Sequence, residues 1–144
     1  MNKKIILSVA SLFLVISILF SNAGVVYARS GTSYEFAPAT CKKFSKSGKK
    51  LTITLDGYDM FKSGKQIKKK KIKFKLSKKC KWTINVVSRR DMSSKVKKAS
   101  YKWFKKAIKA DRKYTKKTGD RSVFNIGLVV KKKKVVEVLY YYFE

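Results

Sequence analysis

Histidine is absent from this 144-residue chain, which also has one proline, two cysteines and only eight acidic residues. Each scarcity closes a route. Histidine is the side chain that titrates near neutrality unaided, so general-base chemistry here would fall to a perturbed carboxylate or lysine. Two cysteines without histidine cannot complete a zinc shell. The chain also has no nucleophile elbow, no Walker-type phosphate loop and no Cys-x-x-Cys pair. Its acids are Glu35, Asp56, Asp59, Asp91, Asp111, Asp120, Glu137 and Glu144. Asp56 and Asp59 resemble a glycosidase-type carboxylate pair in spacing only. They flank the turn "DGYD", where aspartate is favoured because it bonds the local backbone. The sequence thus predicts a non-catalytic protein with no cofactor and no metal. A hydrolase using surface carboxylates is the enzymatic alternative.

Arginine is scarce as well. Only Arg29, Arg89, Arg90, Arg112 and Arg121 occur among 37 basic residues, so 32 are lysine, and the formal net charge is +29. Specific phosphate and base recognition favours the planar arginine fork, whereas lysine acts as a hydrated point charge. The bias predicts diffuse attraction to anions and only non-specific contact with nucleic acid. A blander cause is the lysine-rich codon usage of an AT-rich genome.

One long apolar run is present, at the N-terminus. Lys3 and Lys4 precede Ile5 to Phe20, and Val26-Tyr27-Ala28 fits a small-x-Ala cleavage pattern. This predicts a secretory signal peptide over residues 1–28, cleaved after Ala28, with an uncleaved anchor over Ile5 to Ala28 as the rival. Residues 29–144 then carry 35 basic and 8 acidic side chains, a formal charge of +27. Export from a Gram-positive cell, into the medium or the envelope, is the expected localisation. In an oxidising compartment Cys41 and Cys80 are expected to form one disulfide, closing a loop of about 40 residues with a contribution of about 4 kcal/mol. Two buried free thiols are the alternative.

Residues 29–48 are expected as an extended arm in which Tyr34 and Phe36 dock a short edge strand ending at Pro38. Residues 49–144 form the expected single basic domain. "KKLTITL" alternates strictly: Leu51, Ile53 and Leu55 share one face, and Lys50, Thr52 and Thr54 the other. "KSGK" at Lys46–Lys49 and Lys62–Lys65 reads as two similar tight turns. In "KIKFKLSKKCKWTINVV", Ile72, Phe74 and Leu76 alternate with Lys71, Lys73 and Lys75, and Cys80, Trp82, Ile84 and Val86 continue the parity. The stretch is either one long strand or two strands turning at Ser77 to Lys79. "RRDMSSKVKKASYKWFKKAIKADRKYTKKTG" predicts a helix capped by Asp91 or Ser93 and ended by Gly119. Its expected apolar face is Val96, Ala99, Trp103, Ala107, Ala110 and Tyr114, with Phe104 and Ile108 on the flank. "SVFNIGLVV" and "VVEVLYYYF" predict a closing hairpin, central in the sheet or meeting a protein partner. The expected fold is α+β: a small antiparallel sheet of about five strands packed on one amphipathic helix, in the order β-β-β-α-β-β.

Four lysine sets are the candidate polyanion-binding residues. The first is Lys68, Lys69, Lys70, Lys71, Lys73 and Lys75; the second Lys78, Lys79 and Lys81. The third is the outer face of the expected helix, Lys98, Lys102, Lys105, Lys109 and Lys113, and the fourth is Lys131, Lys132, Lys133 and Lys134. A solvated face accounts for the spacing by itself. Expected partners are teichoic acids, anionic lipid surfaces and acidic glycans. The alternatives are a membrane-active antimicrobial or toxin-like protein, and a structural or protein-binding module whose charge reflects composition alone.

Overall fold

The structure, a computed structural model, describes residues 31–120 and 125–143. The expected signal segment 1–28 lies outside the described residues, as do Ser122 to Phe124 at the start of the expected hairpin. Strands are β1 (Thr32–Phe36), β2 (Cys41–Ser47), β3 (Lys50–Leu55), β4 (Met60–Lys62), β5 (Lys65–Ile67), β6 (Lys71–Val87), β7 (Ser94–Lys98), β8 (Asn125–Lys131) and β9 (Lys134–Phe143). A short 3-10 turn covers Pro38–Thr40, and one helix, α1, covers Tyr101–Thr118. The sheet runs β2-β3-β6-β9-β8-β1-β4-β5, with β7 paired to the far half of β6. It curls into a half-barrel.

This corrects the expected five-strand antiparallel sheet on a helix. Among the described residues there are nine strands, and β6 and β9 run parallel. Three local differences account for it. The tight turn expected at Lys62–Lys65 forms, with Ser63 and Gly64 both at positive φ, but its flanks pair with each other as a small β4–β5 hairpin that adds two strands. Ser94–Lys98 is an exposed strand on β6 rather than the first turns of the helix. Thr32–Phe36, expected at an edge, lies between β8 and β4.

Helix α1 begins later than Asp91 or Ser93 would place it. Ser100 is the cap: its Oγ accepts from the Trp103 N–H at 3.2 Å. At the other end Gly119, at φ 74°, donates its N–H to the Thr115 carbonyl, as the sequence predicts. The buried face is Phe104, Ile108 and Asp111, about one residue round from the expected one. Val96 and Ala99 lie outside the helix, and without them the apolar stripe re-centres on Phe104. Trp103 and Tyr114 are left 36% and 52% exposed. No periodicity argument would bury an aspartate, but Asp111 Oδ2 accepts from the Tyr140 hydroxyl at 2.8 Å.

Strand β6 is one strand of 17 residues, the first of the two expected readings. Its first part pairs with β3, its last part with β7, and its other side with β9 after an irregularity between Leu76 and Lys81. Helix α1 covers the concave face of the sheet. There Phe44 stacks on Phe104 with ring centroids 6.3 Å apart, and Trp82 meets Phe104 edge-on at 5.2 Å. Phe36, Leu51, Ile53, Met60, Ile126 and Leu128 complete this core with no exposure.

A lysine row and a basic groove

The expected disulfide is not formed: Cys41 and Cys80 are free thiols. The register explains why. Cys41 on β2 faces Leu55 at one end of β3, whereas β6 passes the opposite end of β3, with Lys75 facing Lys50, and Cys80 lies further on. With β3 between them, β2 and β6 are about 10 Å apart, and a disulfide needs Cα atoms within about 7 Å. Burial pushes the Cys41 thiol up to about 12, against the pull of Arg112. It pushes Cys80 up to about 11, helped by the Glu137 carboxylate. Neither sulfur is a thiolate near neutrality, which removes both as nucleophiles there.

The lysines gather through strand pairing. Lys50 is directly opposite Lys75, and Lys131 opposite Lys134. Leu76 is level with Val135 in the parallel pair, so the preceding residues, Lys75 and Lys134, are level too. Four consecutive strands (β3, β6, β9, β8) therefore each place a lysine in one transverse row. Core-side neighbours Leu51, Phe74, Leu76 and Val135 are buried, which turns the row outward. Along β6, Lys73 and Lys71 extend it, facing Thr52 and Thr54, with Lys43 beyond Thr54. Strand geometry sets cation spacings of about 4.8 Å across the sheet and about 7 Å along it. Directly opposed like charges are destabilising. The turn at Lys132 and Lys133 adds strain, because both lysines hold φ of 48° and 63°, where asparagine and glycine are the usual occupants.

Five of the acids are engaged elsewhere. Asp111 is bound by Tyr140, and burial with the Asp111 carboxylate raises the Tyr140 phenol well above its ordinary range. Glu137 is buried and accepts from Thr83 Oγ1 at 3.0 Å. Asp91 is held below its ordinary value by the Ser93 hydroxyl and N–H that bond it. Glu35 is buried, and desolvation alone pushes its carboxyl up to about 7. Asp56 lies 3.0 Å from Arg112.

Arg112 opens a second basic feature. Between α1 and β2 lies a groove of about 490 Å³. Its floor is apolar: Cys41, Phe44 and Ile108. Its rim is Lys42, Lys105, Lys109, Arg112, Lys113 and Lys116. The Arg112 Nη1 atom is buried and ion-paired with Asp56 Oδ2 at 3.0 Å.

Of the sequence candidates, the structure thus brings Lys71, Lys73, Lys75, Lys131 and Lys134 to one outward face, and Lys105, Lys109 and Lys113 to the groove. Lys68, Lys69 and Lys70 lie in the link before β6. Lys78, Lys79 and Lys81 are exposed on the part of β6 beyond β3, Lys98 is on β7, and Lys102 is exposed on α1. Lys42, Lys43, Lys50 and Arg112 were outside the expected set. The alternation of "KKLTITL" put Lys50 on a polar face, but only its register with β6 gives it a partner lysine. The C-terminal hairpin, expected as central or as a partner surface, lies centrally between β6 and β1. Tyr142 remains 40% exposed on it.

The fold and site define a curled, mostly β domain with one covering helix, an outward lysine row and a basic groove. Compared with known proteins, the chain matches no family model, no curated protein and no solved structure.

Proposed function

We propose that this chain is an exported, non-catalytic cationic domain that associates with anionic polymers of the cell envelope or extracellular space. The observation that carries the reading is the transverse alignment of Lys50, Lys75 and Lys134 on three adjacent strands, with Lys50 and Lys75 directly opposed, an arrangement of like charges that an anion lying against it would relieve. A flexible polyanion with a charge every few ångströms matches both spacings of the row without needing an arginine fork. Export rests on the pattern of residues 1–28. The membrane-active alternative requires Phe104, fully buried, to leave the core.

The test is binding of purified teichoic acid, anionic vesicles and duplex DNA across a salt series. The triple variant Lys50→Gln, Lys75→Gln, Lys134→Gln is compared with neutralisation of three helix lysines, Lys102, Lys106 and Lys117. The row variant is expected to lose about tenfold more teichoic-acid affinity than the helix variant. Equal losses would mean that only total charge matters, and the composition explanation of the lysines would stand instead. Leakage of the vesicles would move the protein to the membrane-active class.

A further inference from the structure

Helix α1 carries two apolar stripes, and the core uses one of them. Phe104, Ile108 and Asp111 are its buried face. Trp103, Ala107, Ala110 and Tyr114, part of the line that the sequence pattern marks as apolar, fall within about 60° of one another beside that face. Trp103 is 36% and Tyr114 52% exposed, about 16 Å apart along the axis, with Ala107 half-buried and Ala110 exposed between them. The Trp103 ring is fixed at one end, meeting Tyr140 edge-on at 5.1 Å. Tyr142, two residues further along the same face of β9, is 40% exposed. On the solvent side of the stripe run Lys102, Lys106, Lys113 and Lys117, all exposed. The lysine row lies on the other face of the sheet, because its neighbours Leu51, Phe74 and Leu76 are the ones that point into the core under α1.

The combination selects a partner. A polyanion gains from the lysines but nothing from the tryptophan and tyrosine rings. The core of a protein–protein interface is depleted of lysine, and four lysines border this stripe. The headgroup layer of an anionic membrane takes both groups: tryptophan and tyrosine favour it because each ring is apolar with one polar atom, and lysine stems cross it to bring the ammonium to phosphate. Small alanines between two aromatic ends let the helix lie flat on such a surface. We infer that the Trp103–Tyr114 flank of α1 docks in the headgroup layer of an anionic lipid bilayer, with the helix parallel to the surface and Lys102, Lys106, Lys113 and Lys117 on lipid phosphates. Phe104 stays in the core, so the bilayer is not breached. The site is separate from the lysine row and stands whether or not the row holds a polymer.

The experiment titrates the exported chain with vesicles of phosphatidylglycerol brominated near the top of the acyl chains and reads tryptophan fluorescence. Quenching is expected. Trp103→Phe, which keeps a ring on Tyr140, should abolish it, because Trp82, the other tryptophan, packs under α1 against Phe44 and Phe104. Tyr114→Ser changes an exposed side chain, so it keeps the fold, and should weaken vesicle binding about threefold. Neutralising Lys102, Lys106 and Lys117 should weaken it about tenfold. The row variant Lys50→Gln, Lys75→Gln, Lys134→Gln should still be quenched, which separates failure of this site from failure of polymer binding. Vesicle binding without quenching of Trp103 would overturn the inference, by leaving charge alone as the cause. Equal quenching by brominated phosphatidylcholine would overturn it by making the lysines irrelevant, and leakage of a trapped dye would do so by requiring the core to open. Self-association that depends on Tyr114, seen by sedimentation without quenching, would overturn it in favour of a second copy of the chain on this flank.

Discussion

The two halves of the sheet solve opposite problems. In β2, β3 and the first part of β6, one face is core and the other is solvent, so Leu51, Ile53 and Phe74 alternate with Lys50, Thr52, Lys73 and Lys75. In β8 and β9 both faces are buried: Ile126, Leu128, Val138 and Tyr140 on the concave side, Val129, Leu139 and Tyr141 on the reverse. Polar groups are buried on that reverse side too, among them Glu35, Thr83, Asn85, Asn125 and Glu137. Asn85 Oδ1 and Glu137 Oε2 lack a hydrogen-bond partner there. The comparison teaches that outward positions of one sheet carry different costs. On the lysine half a change meets water; on the other half it meets a desolvated environment.

The sharpest way to break the comparison is to exchange outward residues. Leu139→Lys, on the reverse face of β9, should destabilise by about 4 kcal/mol, since it buries an unpaired charge. Thr52→Gln, at an outward position of β3, should shift stability by less than about 0.5 kcal/mol. Urea denaturation of both variants measures the contrast, and equal effects would mean that the reverse face is open to water.

Glu35 gives the next largest effect, through pH. Its folded carboxyl titrates near 7 against an ordinary 4.5, so the folded state holds the proton more tightly than the unfolded state. That contribution is whole below about pH 4.5 and is lost as the pH rises through 7, by up to about 3 kcal/mol. Stability should therefore fall between pH 4.5 and 7.5, and Glu35→Gln should flatten the slope over that window. A slope unchanged in the variant would locate the titration elsewhere.

A smaller effect is expected at the strained turn. Replacing Lys132 with Asn and Lys133 with Gly should raise stability by about 1 kcal/mol, read as a higher thermal midpoint, because those residues accept positive φ. The smallest belongs to the lysine half: Lys50→Glu, which turns a like pair with Lys75 into an opposite pair, should stabilise by about 0.5 kcal/mol while weakening teichoic-acid binding. Loss of stability in that variant would mean that Lys50 and Lys75 do not face each other.

Legibility in the sequence follows the same division. The strict alternation of "KKLTITL" and of Lys71 to Leu76 was readable because solvent on one face imposes period two. The two KSGK turns and Gly119 were readable because positive φ favours glycine: Gly48, Gly64 and Gly119 all adopt it. Where both faces are buried or neither is, the pattern carries less. Ser94–Lys98 is exposed throughout, and its strand state comes from pairing with Thr83 to Val87, which no local period records. Asp111 reads as a polar helix residue, and its burial depends on a tyrosine 29 positions later. The disulfide expectation failed similarly, because spacing along the chain says nothing about an intervening strand.

By itself the sequence determined the charge, the absence of histidine chemistry, the inward and outward sides of β3 and early β6, and the end of the helix. Those are local or compositional properties, set by side-chain chemistry and by a period of two residues. Only the tertiary structure decided that Lys50, Lys75, Lys134 and Lys131 share one row, that β6 and β9 run parallel, and that Arg112 meets Phe44 and Ile108 around a groove. Each depends on register between distant strands or on the rotation of a helix over a sheet. Register is selected by burying the whole apolar surface at once, a cooperative condition that no single segment contains.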